Sequence, residues 1–285
     1  MAESRGVLCT NCGKLISSEE KICPHCGAKR PTAMAGPLSL LTKGKFDLTL
    51  VLINVSGVLY AASILADPSA LTEVDLSSIW GLLSFGSPTG GGLYLLGMTG
   101  GLAWSCGHWW TLLTATVLHG SLLHIVFNLC WLRLLGPVTQ EELGPVRFVL
   151  VYFLTGASGF LLSNFWGAPP TIGASCAIFG LMGALIVYGR KRGGQFGQRL
   201  SQQVTAWALI TFVISFAIPH VNNAGHIGGF IGGLALGAIF PARPAPASRA
   251  LQLAALALVV GTAAGIGLSA WKMWTAYSTG LAICV

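Results

Sequence analysis

The sequence predicts an all-α polytopic membrane protein of seven spans with a small cysteine-rich module in front of it. Three observations carry this. Of 285 residues, 53% are hydrophobic and only 9% charged, against roughly 25% charged in soluble domains. Apolar runs long enough to cross a bilayer as helices recur through the chain. Counted as spans, those runs put 15 of the 16 Lys and Arg residues on one side, as the positive-inside rule requires. An ordinary soluble enzyme is excluded. The net charge of +7 is explained by topology and anionic lipid rather than by nucleic acid, so no nucleic-acid partner is expected.

Along the chain, residues 1–30 come first. Cys9, Cys12, Cys23 and Cys26 form two C-x-x-C knuckles, each presenting two sulfurs to one ion, which is the spacing of a tetrahedral four-thiolate zinc site. A disulfide or redox pairing is the alternative reading. The segment has too few apolar residues for a core of its own, so a structural Zn²⁺ would supply its folding free energy. His25, inside the second knuckle, is expected in solvent. No apolar leader opens the chain, so this ribbon is expected in the cytosol, joined through a linker at 31–45 containing Pro31, Gly36 and Pro37.

The membrane domain is expected over 46–242, with spans near 47–66, 119–136, 146–166, 172–188, 203–219 and 224–240, followed by a seventh helix at 250–271. The loop from Asp67 to His108 carries Asp67, Glu73 and Asp75 and no Lys or Arg, so it faces outward. Trp80, Trp104, Trp109, Trp110 and Trp166 would form an aromatic belt. This places the N-terminus in the cytosol and the C-terminus, with Lys272, outside. A bacterial plasma membrane is the first expectation for location and an organelle membrane the second.

Polar side chains at membrane depth are costly and tend to line an internal cavity. His124, Asn128, Ser175 and His226 are such residues. They sit early in spans two, four and six, which all run from outside to inside, so they share a depth. His124 and Asn128 are four apart and lie on one helix face. Ser175 opens a short fourth span, where unpaired N–H groups and the positive end of the helix dipole can stabilise an oxyanion, with His124 and Asn128 as added donors. Glycines 225, 229, 233 and 237 recur every four residues and allow close approach of a neighbouring helix, with Gly180 and Gly183 as its facing surface. That approach would bring His226 to Ser175. No Asp or Glu follows Glu142, so the expected arrangement is a Ser–His dyad without a third carboxylate. A serine in a membrane helix also serves as an interhelical hydrogen-bond donor, and His119 reads as a structural hydrogen-bonding residue near the interface.

These motifs resemble the rhomboid intramembrane serine proteases: His119, His124 and Asn128 in the second span, Gly173-Ala174-Ser175-Cys176 in the fourth, and Gly225-His226-Ile227-Gly228-Gly229 in the sixth. The resemblance covers roughly 46–240 and implies a six-helix core, to which the seventh helix is added. It further implies Ser175 as nucleophile, His226 as base, His124, Asn128 and the Ser175 amide as oxyanion donors, and Phe179 packed on the His226 ring. Gly173 and Gly229 have structural roles in this pattern. Substrates would be single-span membrane proteins met within the lipid bilayer, and no cofactor serves catalysis. A cytosolic protein partner of the ribbon is a further expectation.

Two positions depart from the family pattern. Cys176 stands where a glycine follows the nucleophile, adding a side chain where tight packing or an unusual backbone angle is expected. Trp110-Thr111 stands for a Trp–Arg pair, removing a cation that would anchor the outer loop. A non-catalytic rhomboid-like protein that binds transmembrane helices is therefore the alternative. A transporter would need intramembrane carboxylates or paired broken helices, and the sequence has neither.

Overall fold

A computed structural model describes residues 6–9, 14–17, 19–25, 27, 47–66, 81, 85–167, 170–219, 221–243 and 245–279. At the N-terminus, β1 (Gly6–Leu8) and β2 (Leu15–Ser17) pair antiparallel, Gly6 opposite Ser17 and Leu8 opposite Leu15. The helices follow in order: α1 (Leu48–Ala66), the short α2 (Gly90–Leu96), α3 (Gly101–Ser105) and α4 (Thr111–Thr114), then α5 (Leu122–Leu143), α6 (Pro145–Phe165), α7 (Ser175–Arg192), α8 (Gly194–Ala217), α9 (Asn223–Ile239) and α10 (Arg249–Thr279). A single 3₁₀ turn, Ala115–Val117, continues α4. The fold is an all-α polytopic membrane fold. Trp80 and most of 67–84 lie outside the described residues.

By length and composition, α1, α5, α6, α8 and α10 are each able to cross a membrane. The other two long helices are α7, which ends in Arg190-Lys191-Arg192, and α9, at 17 residues. Of these, α7 needs less apolar surface because protein surrounds it: it is buried along most of its length, packed between α6, α8 and α9. The lipid-facing surface is carried instead by residues such as Val213 and Phe216 on α8 and Ile231 on α9.

The second long helix departs from the expected 119–136. It starts at Leu122, where the Ser121 hydroxyl accepts from the His124 amide at 3.2 Å, and it runs through Pro137 to Leu143. Hydropathy ends the span where the chain turns polar, but backbone hydrogen bonding continues until Gly144, at φ +87°, turns the corner into Pro145.

Polar contacts fasten this end of the bundle. Asp47 accepts from the amides of Thr49 (3.0 Å) and Leu50 (3.3 Å) and from the Gln140 amide (3.3 Å). Burial raises the Asp47 pKa, but these hydrogen bonds outweigh it and hold the carboxyl below 3.8. Lys191 donates to the carbonyls of Gly237 (3.2 Å), Ala238 (2.7 Å) and Phe240 (2.5 Å) at the C-terminus of α9, a favourable place for a cation. Arg147, buried, donates to Leu143 (3.0 Å) and Ala245 (2.6 Å).

Glycines decide how α7 and α9 meet. A Cβ on Gly229 would fall on the Cys176 carbonyl, and one on Gly233 on the Gly180 carbonyl. A Cβ on Gly183 would lie 2.5 Å from the Phe230 carbonyl oxygen. The two backbones therefore touch, as the glycine repeat anticipates.

Candidate active site

That contact sets the depth of two side chains. Ser175 is the first residue of α7 and His226 lies in the first turn of α9, and Ser175 Oγ is 2.9 Å from His226 Nε2. His226 is buried, whereas Ser175 is half-buried. Phe179, one turn below Ser175, packs on the imidazole with centroids 4.6 Å apart. Phe212 of α8 closes the same wall, 4.3 Å from Phe179 and 6.5 Å from His226 between centroids. The sequence reading did not single out Phe212.

His226 Nδ1 has no hydrogen-bond partner among the described residues. Glu142, the last acid in the chain, is engaged at the far end of α7, accepting from Arg192 at 2.7 Å and from the Tyr188 hydroxyl at 2.6 Å. For Nε2 to accept the Ser175 proton, Nδ1 must carry the ring hydrogen.

His124 faces the same point from α5. The Gly120 amide donates to His124 Nδ1 at 3.3 Å, which assigns the hydrogen to Nε2. That edge lies against Gly173: a Cβ there would be 2.6 Å from His124 Nε2 and 3.8 Å from Asn128 Nδ2. Gly173 has φ +126°, a conformation that side chains disfavour. Asn128, buried, gives one N–H to the His124 carbonyl at 2.9 Å, leaving its second N–H for another acceptor. The first amides of α7 have no partner within the helix. Donors from His124, Asn128 and Ser175 thus gather around the backbone before the serine.

The segment before Ser175 is held by groups that sequence reasoning missed. Thr99 and Thr171 exchange backbone hydrogen bonds of 2.8 and 3.3 Å, and the Gly173 amide donates to the Ala115 carbonyl at 2.9 Å. Asn222 caps α9 by accepting from the Gly225 amide at 2.9 Å. Its Nδ2 donates to Ser163 Oγ at 2.6 Å and Thr171 Oγ1 at 3.1 Å. An Asn just before an apolar helix is a recognisable cap signal, though its reach across to Thr171 is not.

Two further residues of the motifs sit in tight packing. Cys176 is buried and helical, with no unusual backbone angle. Its side chain fills the space left by glycines opposite, since a Cβ on Gly159 would lie 2.8 Å from Cys176 Cβ and one on Gly225 2.8 Å from Cys176 Sγ. His119 is buried edge-on against His124, with centroids 5.3 Å apart.

Comparison with known proteins addresses the same segment. Residues 106–243 match the family model for the rhomboid domain. The chain carries a rhomboid domain. Residues 8–30 match a zinc-ribbon domain. The chain is 36% identical to rhomboid protease GluP of Bacillus subtilis (strain 168) over 127 residues, 45% of this chain and 25% of that one. It is 35% identical to RHOMBOID-like protein 1 of Arabidopsis thaliana over 151 residues, 47% of this chain and 35% of that one. Identity to Inactive RHOMBOID-like protein 8 of Arabidopsis thaliana is 33% over 139 residues, 46% and 39%. The chain thus spans between 25% and 39% of the length of these relatives. Because a rhomboid domain occurs both in a named protease and in a named inactive protein, catalysis has to be argued from the side chains of this chain.

In the zinc ribbon, Cys9 and Cys23 are 2% and 1% exposed although the segment has little apolar sequence to bury them. The Cys9 amide donates to the Lys14 carbonyl and the Gly27 amide to the Cys23 carbonyl, both at 2.8 Å, making a tight turn at each knuckle. His25 is exposed. Cys12 and Cys26 lie outside the described residues. Buried sulfurs at two knuckle turns fit a thiolate-bound metal.

Proposed function

We propose that the rhomboid domain is an intramembrane serine endopeptidase working through Ser175 and His226. The observation that carries this is the 2.9 Å Ser175–His226 contact beside the donors of His124 and Asn128. Ser175 Oγ attacks the scissile carbonyl carbon while His226 Nε2 takes its proton. The oxyanion accepts from the Ser175 amide, His124 Nε2–H and the second Asn128 N–H. The C–N bond then breaks and the His226 proton goes to the departing amine, leaving an acyl-serine. Water, deprotonated by His226, attacks that ester, and Ser175 recovers the proton as it leaves. Burial of His226 under Phe179 and Phe212 fixes the ring in the role that a carboxylate fills in a triad.

Its substrates are single-span membrane proteins entering from the lipid bilayer. The basic-residue count supports a cytosolic N-terminus and seven spans with the C-terminus outside, and the membrane we propose is a bacterial plasma membrane. To test the activity, the purified full chain is mixed with a panel of single-span substrates, beside Ser175→Ala and His226→Ala. Cleavage should fall at least about 10⁴-fold in either variant. Undiminished cleavage in both would refute the dyad, and a parent inactive on the whole panel would favour the helix-binding alternative.

In the ribbon, Cys9, Cys12, Cys23 and Cys26 hold one structural Zn²⁺, which cross-links the two knuckles and takes no part in peptide cleavage. Metal analysis of the purified chain should give about one zinc per chain, lost in a Cys9→Ser/Cys23→Ser variant whose proteolytic rate on a membrane substrate is unchanged. Equal metal content in the variant would contradict the site.

A further inference from the structure

We infer that α10 is a working part of the rhomboid domain: Ser269, through Trp110, latches the outer loop and so positions the backbone in front of Ser175. The inference rests on the proposed protease reading for its consequence, not for its geometry.

Most of α10 faces outward, with Val260, Trp271 and Trp274 exposed, and its buried residues are the small Ala255, Thr262, Gly265 and Ser269. Ser269 accepts from Trp110 Nε1 at 3.0 Å. One turn earlier, a Cβ on Gly265 would lie 2.9 Å from Thr114 Cγ2 and 3.3 Å from Trp110 Cδ1, so the loop seats directly on the α10 backbone. Thr114, fully buried, donates to the Gly97 carbonyl at 2.6 Å. Gly97 itself, at φ +99°, leaves room for Ser269: a Cβ there would be 3.0 Å from Ser269 Oγ. Ser269 therefore touches both limbs of the outer loop, at Trp110 and beside Gly97.

Each limb leads within a few residues to the serine. After Thr114 comes Ala115, whose carbonyl takes the Gly173 amide; after Gly97 and Met98 comes Thr99, paired with Thr171. Gly173 is two residues from Ser175. In low dielectric the Trp110 N–H must be satisfied, and membrane helices meet through such hydroxyl contacts and small residues. At Trp110-Thr111 the neighbouring Arg of the family pattern is gone, and here the tryptophan is anchored by a helix instead. Ser269 and Gly265 are thus positioning residues acting through Trp110 and Thr114.

The test uses the full chain in detergent with Ser269→Ala, Trp110→Phe, their double variant and Gly265→Leu, measuring kcat, KM and backbone hydrogen exchange. Ser269→Ala should lower kcat about five- to tenfold, the scale of one lost buried hydrogen bond, with KM within about twofold. Exchange should rise in 97–117 and also in 171–175, while the interiors of α6 and α7 keep their protection. The double variant should be no worse than the worse single one, because both remove the same bond. Gly265→Leu, which keeps both partners of the bond but crowds Thr114 and Trp110 off the α10 backbone, should give the same exchange pattern. Unchanged kcat and exchange in Ser269→Ala would overturn the latch, as would a rise confined to 97–117 or one spread equally over α6 and α7. If the parent cleaves nothing, the protease reading fails, and the exchange at 171–175 still upholds or overturns the latch by itself.

Discussion

Gly233→Val is expected to lower the thermal midpoint in detergent by roughly 10 °C, or about 3 kcal/mol, and to abolish cleavage. The reason is geometric. A Cβ on Gly233 would overlap the carbonyl of Gly180, with that residue's carbonyl carbon and Cα next in line at 2.7 and 2.8 Å. All three atoms are backbone, so no rotamer change can relieve the overlap and α9 must back away from α7. His226 would then be carried away from Ser175, whose present separation of 2.9 Å leaves no slack for proton transfer. Gly57→Ala on α1 is the control: a Cβ there meets nothing within 4 Å, and alanine is the better helix former. Its midpoint and activity should match or exceed the parent's, as read by thermal unfolding and substrate cleavage.

Gly173→Ala should have the opposite profile, with the fold kept and the rate lost. The residue lies outside the helices, so circular dichroism and melting should change little. Its φ of +126° and the 2.6 Å approach of a Cβ to His124 Nε2 mean that the new methyl must displace the imidazole or the backbone entering Ser175. Either movement misaligns an oxyanion donor, and removal of one such donor costs about 10²- to 10³-fold in kcat. Steady-state kinetics on one cleavable substrate measures this. A kcat within threefold of the parent would show that His124 does not act where its Nε2 edge now lies.

How much of this was legible in the sequence depended on whether the signal was periodic. The long helices could be read because apolar runs repeat on the scale of the bilayer, and the α7–α9 contact could be read because glycine recurs at one helix face. Approach of His226 to Ser175 followed from matched depth along two such helices. The distant partners of Asn222, Thr99, Thr171 and Ser269 were not legible. Each is one polar residue bonded to a segment distant in sequence, so spacing carries no trace of its partner. The extension of α5 beyond Pro137 was missed because hydropathy marks the membrane edge and not the end of the backbone ladder. How the tight packing expected at Cys176 is accommodated was not legible, for a related reason. Its tolerance is written in Gly159 and Gly225, on two other helices, and not in its own neighbours.

The central claim, that His226 makes Ser175 a nucleophile, is tested most directly by treating the detergent-solubilised chain with a serine-reactive fluorophosphonate and locating the adduct by peptide mass spectrometry. The reagent needs no knowledge of the substrate. The account predicts one adduct, on Ser175, formed at least about 10²-fold more slowly in His226→Ala. An unlabelled Ser175 in the parent, or equal labelling with and without the His226 imidazole, would contradict it.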